Sequence, residues 1–331
     1  MSQGERHHPY EALGPDTILE AVEALGFECD GHFLALNSYE NRVYQVGLED
    51  RPPLIAKFYR PGRWSDAAIL EEHAFTRELH LREIPVVAPM ADENGRTLFH
   101  AGPFRFALFP RCGGRAPELD NPEHLEILGR YIGRLHAVGA TKAFAHRPTL
   151  DVQHFAVDSR RYLLEHDFIP GELVPAYDSL TADLVRQIEA CYERAGEVRY
   201  LRLHGDCHPG NILWTDAGPH IVDFDDVRMG PAIQDLWMFL SGDRAYMTAG
   251  LADLLEGYTD FMDFDPRELH LIEALRTMRM MHYAAWLARR WDDPAFPAAF
   301  PWFNSGRFWE EHILALREQA ALLSEPPLVW H

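Results

Sequence analysis

Hydrophobic and polar positions divide the chain near residues 110–117, where Phe109-Pro110-Arg111-Cys112-Gly113-Gly114-Arg115-Ala116-Pro117 interrupts any helix or strand. Ahead of this break short strand-like runs prevail. Residues 41–48, with Val43 and Val46 among polar neighbours, and residues 54–59, Leu-Ile-Ala-Lys-Phe-Tyr, read as a β-hairpin across turn residues 49–53. Residues 65–82 read as a helix: Ser65 can cap it, and Ile69, Phe75, Leu79 and, less neatly, Leu70 recur at helical spacing. Pro85 stops it. Residues 96–99 and 104–109 flank Ala101-Gly102-Pro103 and predict another hairpin.

After the break the period lengthens. Residues 122–138 set Leu125, Leu128, Ile132 and Leu135 on one face of a long helix. Residues 204–211, holding Gly205, Pro209 and Gly210, must be a loop. Short strands follow over 212–214 and 220–224, joined by the turn formers of 215–219. Beyond Pro231 the chain is helical again, including residues 266–290. The expected class is α+β and bilobal: a small β-rich N-lobe with one helix, residues 1–110, and a larger, mainly helical C-lobe, residues 111–331. There is no internal repeat and no low-complexity tract.

Composition narrows this little. The 331 residues allow two domains, and 47% apolar with 25% charged residues is ordinary for a globular protein. No run of eighteen uncharged apolar residues exists, and the polar start, residues 1–11, lacks the apolar core of a signal peptide. A cytoplasmic protein, monomeric and without membrane contact, is expected. Cys29, Cys112, Cys191 and Cys207 are scattered with no C-x-x-C pair, which predicts free thiols and excludes a zinc ribbon or a disulfide framework. The net charge of −20 repels polyanions, so nucleic acid is not an expected partner. The same charge favours cationic partners, and any ATP site becomes a local exception that needs Mg²⁺ and a placed Lys or Arg.

The sharpest chemistry lies in His204-Gly205-Asp206-Cys207-His208-Pro209-Gly210-Asn211, followed twelve positions after the Asn by Asp223-Phe224-Asp225. Phosphoryl transfer needs a base beside the attacking hydroxyl and oxygen ligands that hold Mg²⁺ against the phosphates. Asp206 and Asn211 have the D-x-x-x-x-N step of a catalytic base and a metal ligand, and Asp223 follows a strand as the second metal ligand. Lys57, in Ile-Ala-Lys, has the setting of the strand lysine that steadies the α/β-phosphates. Its helix partner is expected at Glu72, which steps with Phe75 and Leu79, with Glu71 as the alternative. Taken alone, a strand Lys, a helix Glu or an Asp after a strand is usually a solvated or turn residue. The joint spacing carries the reading. A rival reading takes His204, Asp206 and His208 as transition-metal ligands, but leaves Lys57 and the two-lobe pattern unexplained.

On these residues the sequence resembles the aminoglycoside phosphotransferase and choline kinase branch of the protein-kinase-like fold, whose loop reads H-G-D-x-H-x-x-N. Gly230-Pro231 with Asp235-Leu236 fits the same resemblance, in which Asp235 accepts hydrogen bonds from the catalytic loop. Within the branch, residues 36–44, Ile69-Leu70-Glu71-Glu72-His73 and the run from Leu275 to Trp291 resemble the stress response kinase A family. The resemblance spans about residues 15–320. It implies a Ser/Thr protein kinase of the bacterial stress response, itself a phosphoprotein, with ATP as co-substrate and Mg²⁺ as cofactor. No Gly-x-Gly-x-x-Gly precedes Lys57; Asn37-Ser38-Tyr39-Glu40-Asn41 stands there, and the resemblance implies an ATP contact at Ser38. In the C-terminal run, Arg276, Arg279, Arg289 and Arg290 with Trp286, Trp291, Trp302 and Trp309 read as core packing, with an acceptor-selecting surface as the alternative. Two further readings stay open: a small-molecule kinase acting on a hydroxyl of an amino alcohol, amino acid or aminoglycoside-like substrate, and a non-catalytic nucleotide-binding scaffold.

Overall fold

The computed structural model describes residues 9–330. In chain order these give α1 (Pro15–Glu23), β1 (Cys29–Ala35), β2 (Arg42–Leu48), β3 (Leu54–Tyr59), α2 (Asp66–Leu81), β4 (Phe99–Ala101) and β5 (Phe104–Pro110). Then come α3 (Pro122–Gly139), α4 (Asp158–Glu165), α5 (Val174–Ala195), β6 (Leu201–Leu203), β7 (Ile212–Thr215), β8 (Gly218–Ile221) and β9 (Arg228–Gly230). The last are α6 (Arg244–Tyr258), α7 (Ile272–Arg289), α8 (Ala295–Ala299) and α9 (Gly306–Leu322). The chain forms two compact units. The first takes the described residues up to Pro117 together with Ala145–Arg147 and Pro209–Val227; the second takes the other described residues. Among the described residues no helix is long and apolar enough to cross a membrane.

In the first unit a five-stranded antiparallel sheet runs in the order β1-β2-β3-β5-β4. The alternation of a strand decides its two faces. Leu54, Ala56 and Phe58 of β3 enter a core with Val46, Phe99, Phe106 and the helical Ile18, Ala21 and Val22. Ile55, Lys57 and Tyr59 therefore point the other way. Ser65 caps α2, its Oγ accepting the Ala68 N–H at 3.2 Å, and Ile69, Phe75 and Leu79 are buried while Leu70 is not. The β4–β5 hairpin is shorter than the pattern of residues 96–99 predicts. Asp92 draws the N–H groups of Asn94 and Arg96 into a turn, so pairing starts only at Phe99. The strand expected over 220–224 also ends early, at Ile221, because Asp223 adopts a left-handed backbone, φ 60° and ψ 66°, that breaks the ladder. The β7–β8 turn is correspondingly tight, with Thr215 paired to Gly218.

In the second unit, Asn121 caps α3 and Leu125, Leu128, Ile132 and Leu135 are all buried. Residues 266–290 divide into a 3₁₀ stretch, Pro266–Leu271, and α7. Helix α1, which carries its apolar face into the sheet core, and strand β1 are elements that the hydrophobic pattern alone did not bring out.

Candidate active site

The first unit holds a cavity of about 340 Å³ lined by the apolar Leu36, Val43, Ile55, Val87, Phe109 and Leu213 and by the polar Lys57, Asn211 and Asp223. Ser38 and Glu72 line it too. Lys57 reaches it because β3 turns that face away from the core. Its Nζ lies 3.1 Å from Asp223 Oδ1, 3.3 Å from Asp225 Oδ1 and 3.6 Å from Glu72 Oε1. Burial alone would lower the pKa of this ammonium. Asp225, Glu72 and Asp223 outweigh burial and hold it well above the ordinary lysine value.

The three carboxylates differ in freedom. Glu72 is buried and also accepts Arg147 Nη2 at 2.7 Å; burial raises its pKa against the pull of Lys57 and Arg147. Asp225 is buried in an ion pair with Arg63, and its backbone carbonyl accepts Arg147 Nη1 at 2.6 Å. Burial opposes ionisation of Asp225, but Arg63 and then Lys57 prevail and keep its pKa below the usual carboxylate value. Asp223 alone of the three is open, with 53% of its side chain exposed. Glu71, the alternative partner for Lys57, is committed elsewhere: it accepts the backbone N–H groups of Ala145, His146 and Arg147 at 2.6, 2.7 and 2.9 Å. Adjacent glutamates thus divide two tasks, one fastening residues 145–147 and the other taking the guanidinium they deliver.

The loop at residues 36–41 has no glycine. Leu36 N–H donates to the Val43 carbonyl at 2.8 Å, Asn41 Oδ1 accepts the Arg60 N–H at 3.1 Å, and Arg60 Nε donates to the Glu40 carbonyl at 3.0 Å. Polar side chains hold here a loop that glycines would otherwise have to shape.

As to a metal, among the described residues no group of three or more His, Cys, Asp or Glu side chains is placed to hold an ion. That gives no support to a metal set of His204, Asp206 and His208. Asn211 and Asp223 offer two hard oxygen donors among the residues that line the cavity. Such a pair fits an ion that takes one or two protein ligands and completes its shell with phosphate and water, as Mg²⁺ does.

The second unit holds the first half of the loop motif, which Asp235 fixes. Its carboxylate accepts the His204 N–H and the Gly205 N–H, each at 2.8 Å, and lies 3.1 Å from His136 Nε2. Burial would raise the Asp235 pKa, but the hydrogen bond and charge of His136 keep it below the ordinary value. His204 is buried, and its Nδ1 accepts the Asp206 N–H at 3.3 Å. Cys207 is buried, which pushes its thiol well above the usual cysteine pKa, with Asp235 and Asp206 adding to the effect. Asp206 stays 26% exposed, 3.6 Å from His208 Nε2, and forms an ion pair with Arg279 of α7. Of the other residues in that C-terminal run, Trp309 is fully buried and Arg276 is committed to Glu273, the Leu240 carbonyl and the Trp237 face.

The structure adds Arg147 and Arg63, around Asp225, to the sequence-predicted set. Neither has a spacing signal, because each reaches its partner through tertiary folding. Arg279, already singled out in the C-terminal run, gains Asp206 as its partner. Asp225 stood within the motif, and its burial gives it the role of holding Lys57.

The model of the phosphotransferase enzyme family matches residues 32–272. Stress response kinase A of Escherichia coli strain K12 is 46% identical over 319 residues, 96% of this chain and 96% of that protein. A Salmonella typhimurium protein named serine/threonine protein kinase RdoA is 45% identical over 319 residues, again 96% of each chain. Among solved structures, a microcompartment-associated aminopropanol kinase is similar at a TM-score of 0.69 and 19% identity, covering 92% of this chain and 95% of that one. The amicoumacin kinase hAmiN, in complex with AMP-PNP and Ca²⁺, gives 0.65 and 20% identity, covering 89% and 92%. At those identities the two structures bear on fold alone.

Proposed function

The chain belongs to the phosphotransferase enzyme family and, within it, to the stress response kinase A group, and from that premise we propose that it is a Mg²⁺-dependent Ser/Thr protein kinase. ATP-dependent phosphoryl transfer is the family's chemistry. The finer reading, a protein acceptor, is supported by near full-length similarity to a relative named as a serine/threonine protein kinase. The observation that carries the phosphotransfer itself is the Lys57 ammonium, set among Glu72, Asp223 and Asp225 in a cavity that apolar residues also line. Such a cavity suits a nucleotide: base against Val43, Ile55 and Phe109, phosphates toward Lys57.

In this reading Lys57 steadies the α/β-phosphates and Ser38 contacts the nucleotide from its loop. Asn211 and Asp223 would hold Mg²⁺, which when bound would supply positive charge against the phosphates. Asp206 accepts the proton of the Ser or Thr hydroxyl as the new O–P bond forms, the β,γ-bridging O–P bond breaks and ADP leaves. Asp235 keeps that loop in shape from behind. The setting is the cytoplasm, during a stress response.

The test is to incubate the purified protein with γ-labelled ATP, Mg²⁺ and a cell lysate. Label should enter protein bands, and Asp206→Ala should lower it by roughly 10²–10⁴, the scale of a positioned base. Label confined to small metabolites would replace the protein acceptor by an amino alcohol, amino acid or aminoglycoside-like one. Transfer within a few-fold of normal in Asp206→Ala would remove Asp206 as base.

A further inference from the structure

The proposed base does not stand alone in the second unit. Arg279 of α7 donates Nη1 to Asp206 Oδ1. The pair is half in solvent, with 46% of the Arg279 side chain exposed. A pair so exposed adds little to fold stability. Arg276, one turn earlier on the same helix, makes the contrast, since its guanidinium is engaged by Glu273, the Leu240 carbonyl and Trp237. Among the described residues, Arg279 has Asp206 as its side-chain partner, and its Nε and Nη2 donors face no protein acceptor. One turn further on, Tyr283 is 41% exposed and stacks on Trp286 at 5.7 Å.

We infer that Arg279 is a specificity-determining residue that selects acceptors carrying a negative charge beside the hydroxyl, an acidic peptide segment first among them. The inference rests on Asp206 being the base. A hydroxyl that gives its proton to Asp206 must come within about 2.6–3.2 Å of that carboxylate. Any charged group next to the hydroxyl then lies within a few ångströms of the guanidinium. A carboxylate or phosphate there can take the remaining donors in the fork geometry that arginine offers. An ammonium there meets a like charge. Tyr283, exposed one turn further along the same helix and stacked on the half-buried Trp286, gives a peptide chain an apolar ledge, which a lone metabolite would leave unused. The chemistry shared by the two sources is a hydroxyl with a neighbouring anion.

The experiment measures kcat/KM of the full chain on four acceptor sets: Ser peptides with Asp and Glu flanks, the same peptides with Lys and Arg flanks, small hydroxy acids and sugar phosphates, and small amino alcohols. Anionic acceptors should exceed their cationic counterparts by about tenfold or more, the scale of one charge-assisted contact. The peptide and metabolite arms tell the source. Arg279→Met should abolish the preference, the loss falling mainly on KM. Arg279→Glu should invert it, and Arg279→Lys should restore part of it. A merely structural arginine would lower activity on all sets alike and leave their ratio unmoved. Indifference to acceptor charge, a cationic preference, or a preference that survives Arg279→Met overturns the inference. So does a uniform gain in turnover in Arg279→Met, which would make the pair a resting-state lock. If Asp206→Ala abolishes transfer while the charge preference is absent, the base assignment stands and only the role of Arg279 falls. If Asp206→Ala retains transfer, both fall.

Discussion

At the scale of single residues, the site is built from groups whose ionisation is set by burial and then corrected by neighbours. His73 shows what this does to stability. It is buried behind the Lys57 strand, its Nε2 2.7 Å from Tyr59 Oη and its Nδ1 2.8 Å from Thr97 Oγ1. Burial, with Lys57 and Arg147 adding to it, pushes its pKa down to about 3. Above about pH 6.5 the imidazole is neutral in folded and unfolded chains alike, so the group makes no pH-dependent difference. As pH falls below that value the unfolded chain takes a proton that the folded chain refuses. Stability is therefore lost progressively toward pH 3, by about 1.4 kcal/mol per pH unit. His312, lowered to about 4 by burial, adds a slope of the same sign. Denaturant unfolding between pH 6.5 and 4.5 should give a slope smaller by about 1.4 kcal/mol per unit in His73→Gln than in the parent. Equal slopes would mean that His73 is protonated in the folded protein. The sequence made His73 visible only as part of a resemblance, for a lone histidine on a helix carries no sign of its burial. Asp206, Asn211 and Asp223 stood out as candidates because the proposed phosphoryl transfer constrains their spacing; Arg147 and Arg63 did not, because nothing constrains theirs.

At the scale of elements, the same division holds. Strand β3 and helix α2 could be read because their apolar positions repeat with the period of the element, and α3 likewise. The way α3 meets α6 could not. A Cβ on Gly129 would stand 1.9 Å from the Leu254 carbonyl oxygen, one on Gly133 2.6 Å from that of Tyr258, and one on Gly257 2.0 Å from that of Glu126. The two helices thus touch backbone to backbone through three glycines. Each glycine in a helix interior ordinarily costs about 1 kcal/mol relative to alanine. In an isolated helix Gly129→Ala would therefore be stabilising. Here the methyl meets a carbonyl that belongs to a helix and cannot turn aside, and overpacking costs about 1–3 kcal/mol or more. Gly129→Ala should lower the thermal midpoint by several degrees. A midpoint that rises would show that propensity, and not contact, governs this pair. The hydrophobic pattern carries no sign of these glycines' role, since only the partner helix gives them a reason.

At the scale of the whole molecule, chain order and compactness part company. Residues 145–147 and 209–227 fold with the first unit although they follow the break at residues 110–117. No periodicity could announce this, since it depends on contacts such as those Glu71 makes to three consecutive N–H groups. Charge parts company in the same way. A net charge of −20 predicts a field that attracts cations and repels anionic acceptors, whereas the guanidinium on Asp206 predicts the opposite preference at contact. The two act over different distances. Raising ionic strength from about 0.01 M to 0.15 M shortens the screening length from about 30 Å to 8 Å. That weakens the general repulsion while leaving a contact of a few ångströms largely intact. The ratio of kcat/KM for acidic over basic peptides should therefore rise with salt. Taking the ratio cancels any effect of salt on ATP, which is common to both. A ratio that falls as salt increases would mean that the approach of acceptors is governed by a local positive field extending well beyond Arg279, and not by the acidity of the chain as a whole.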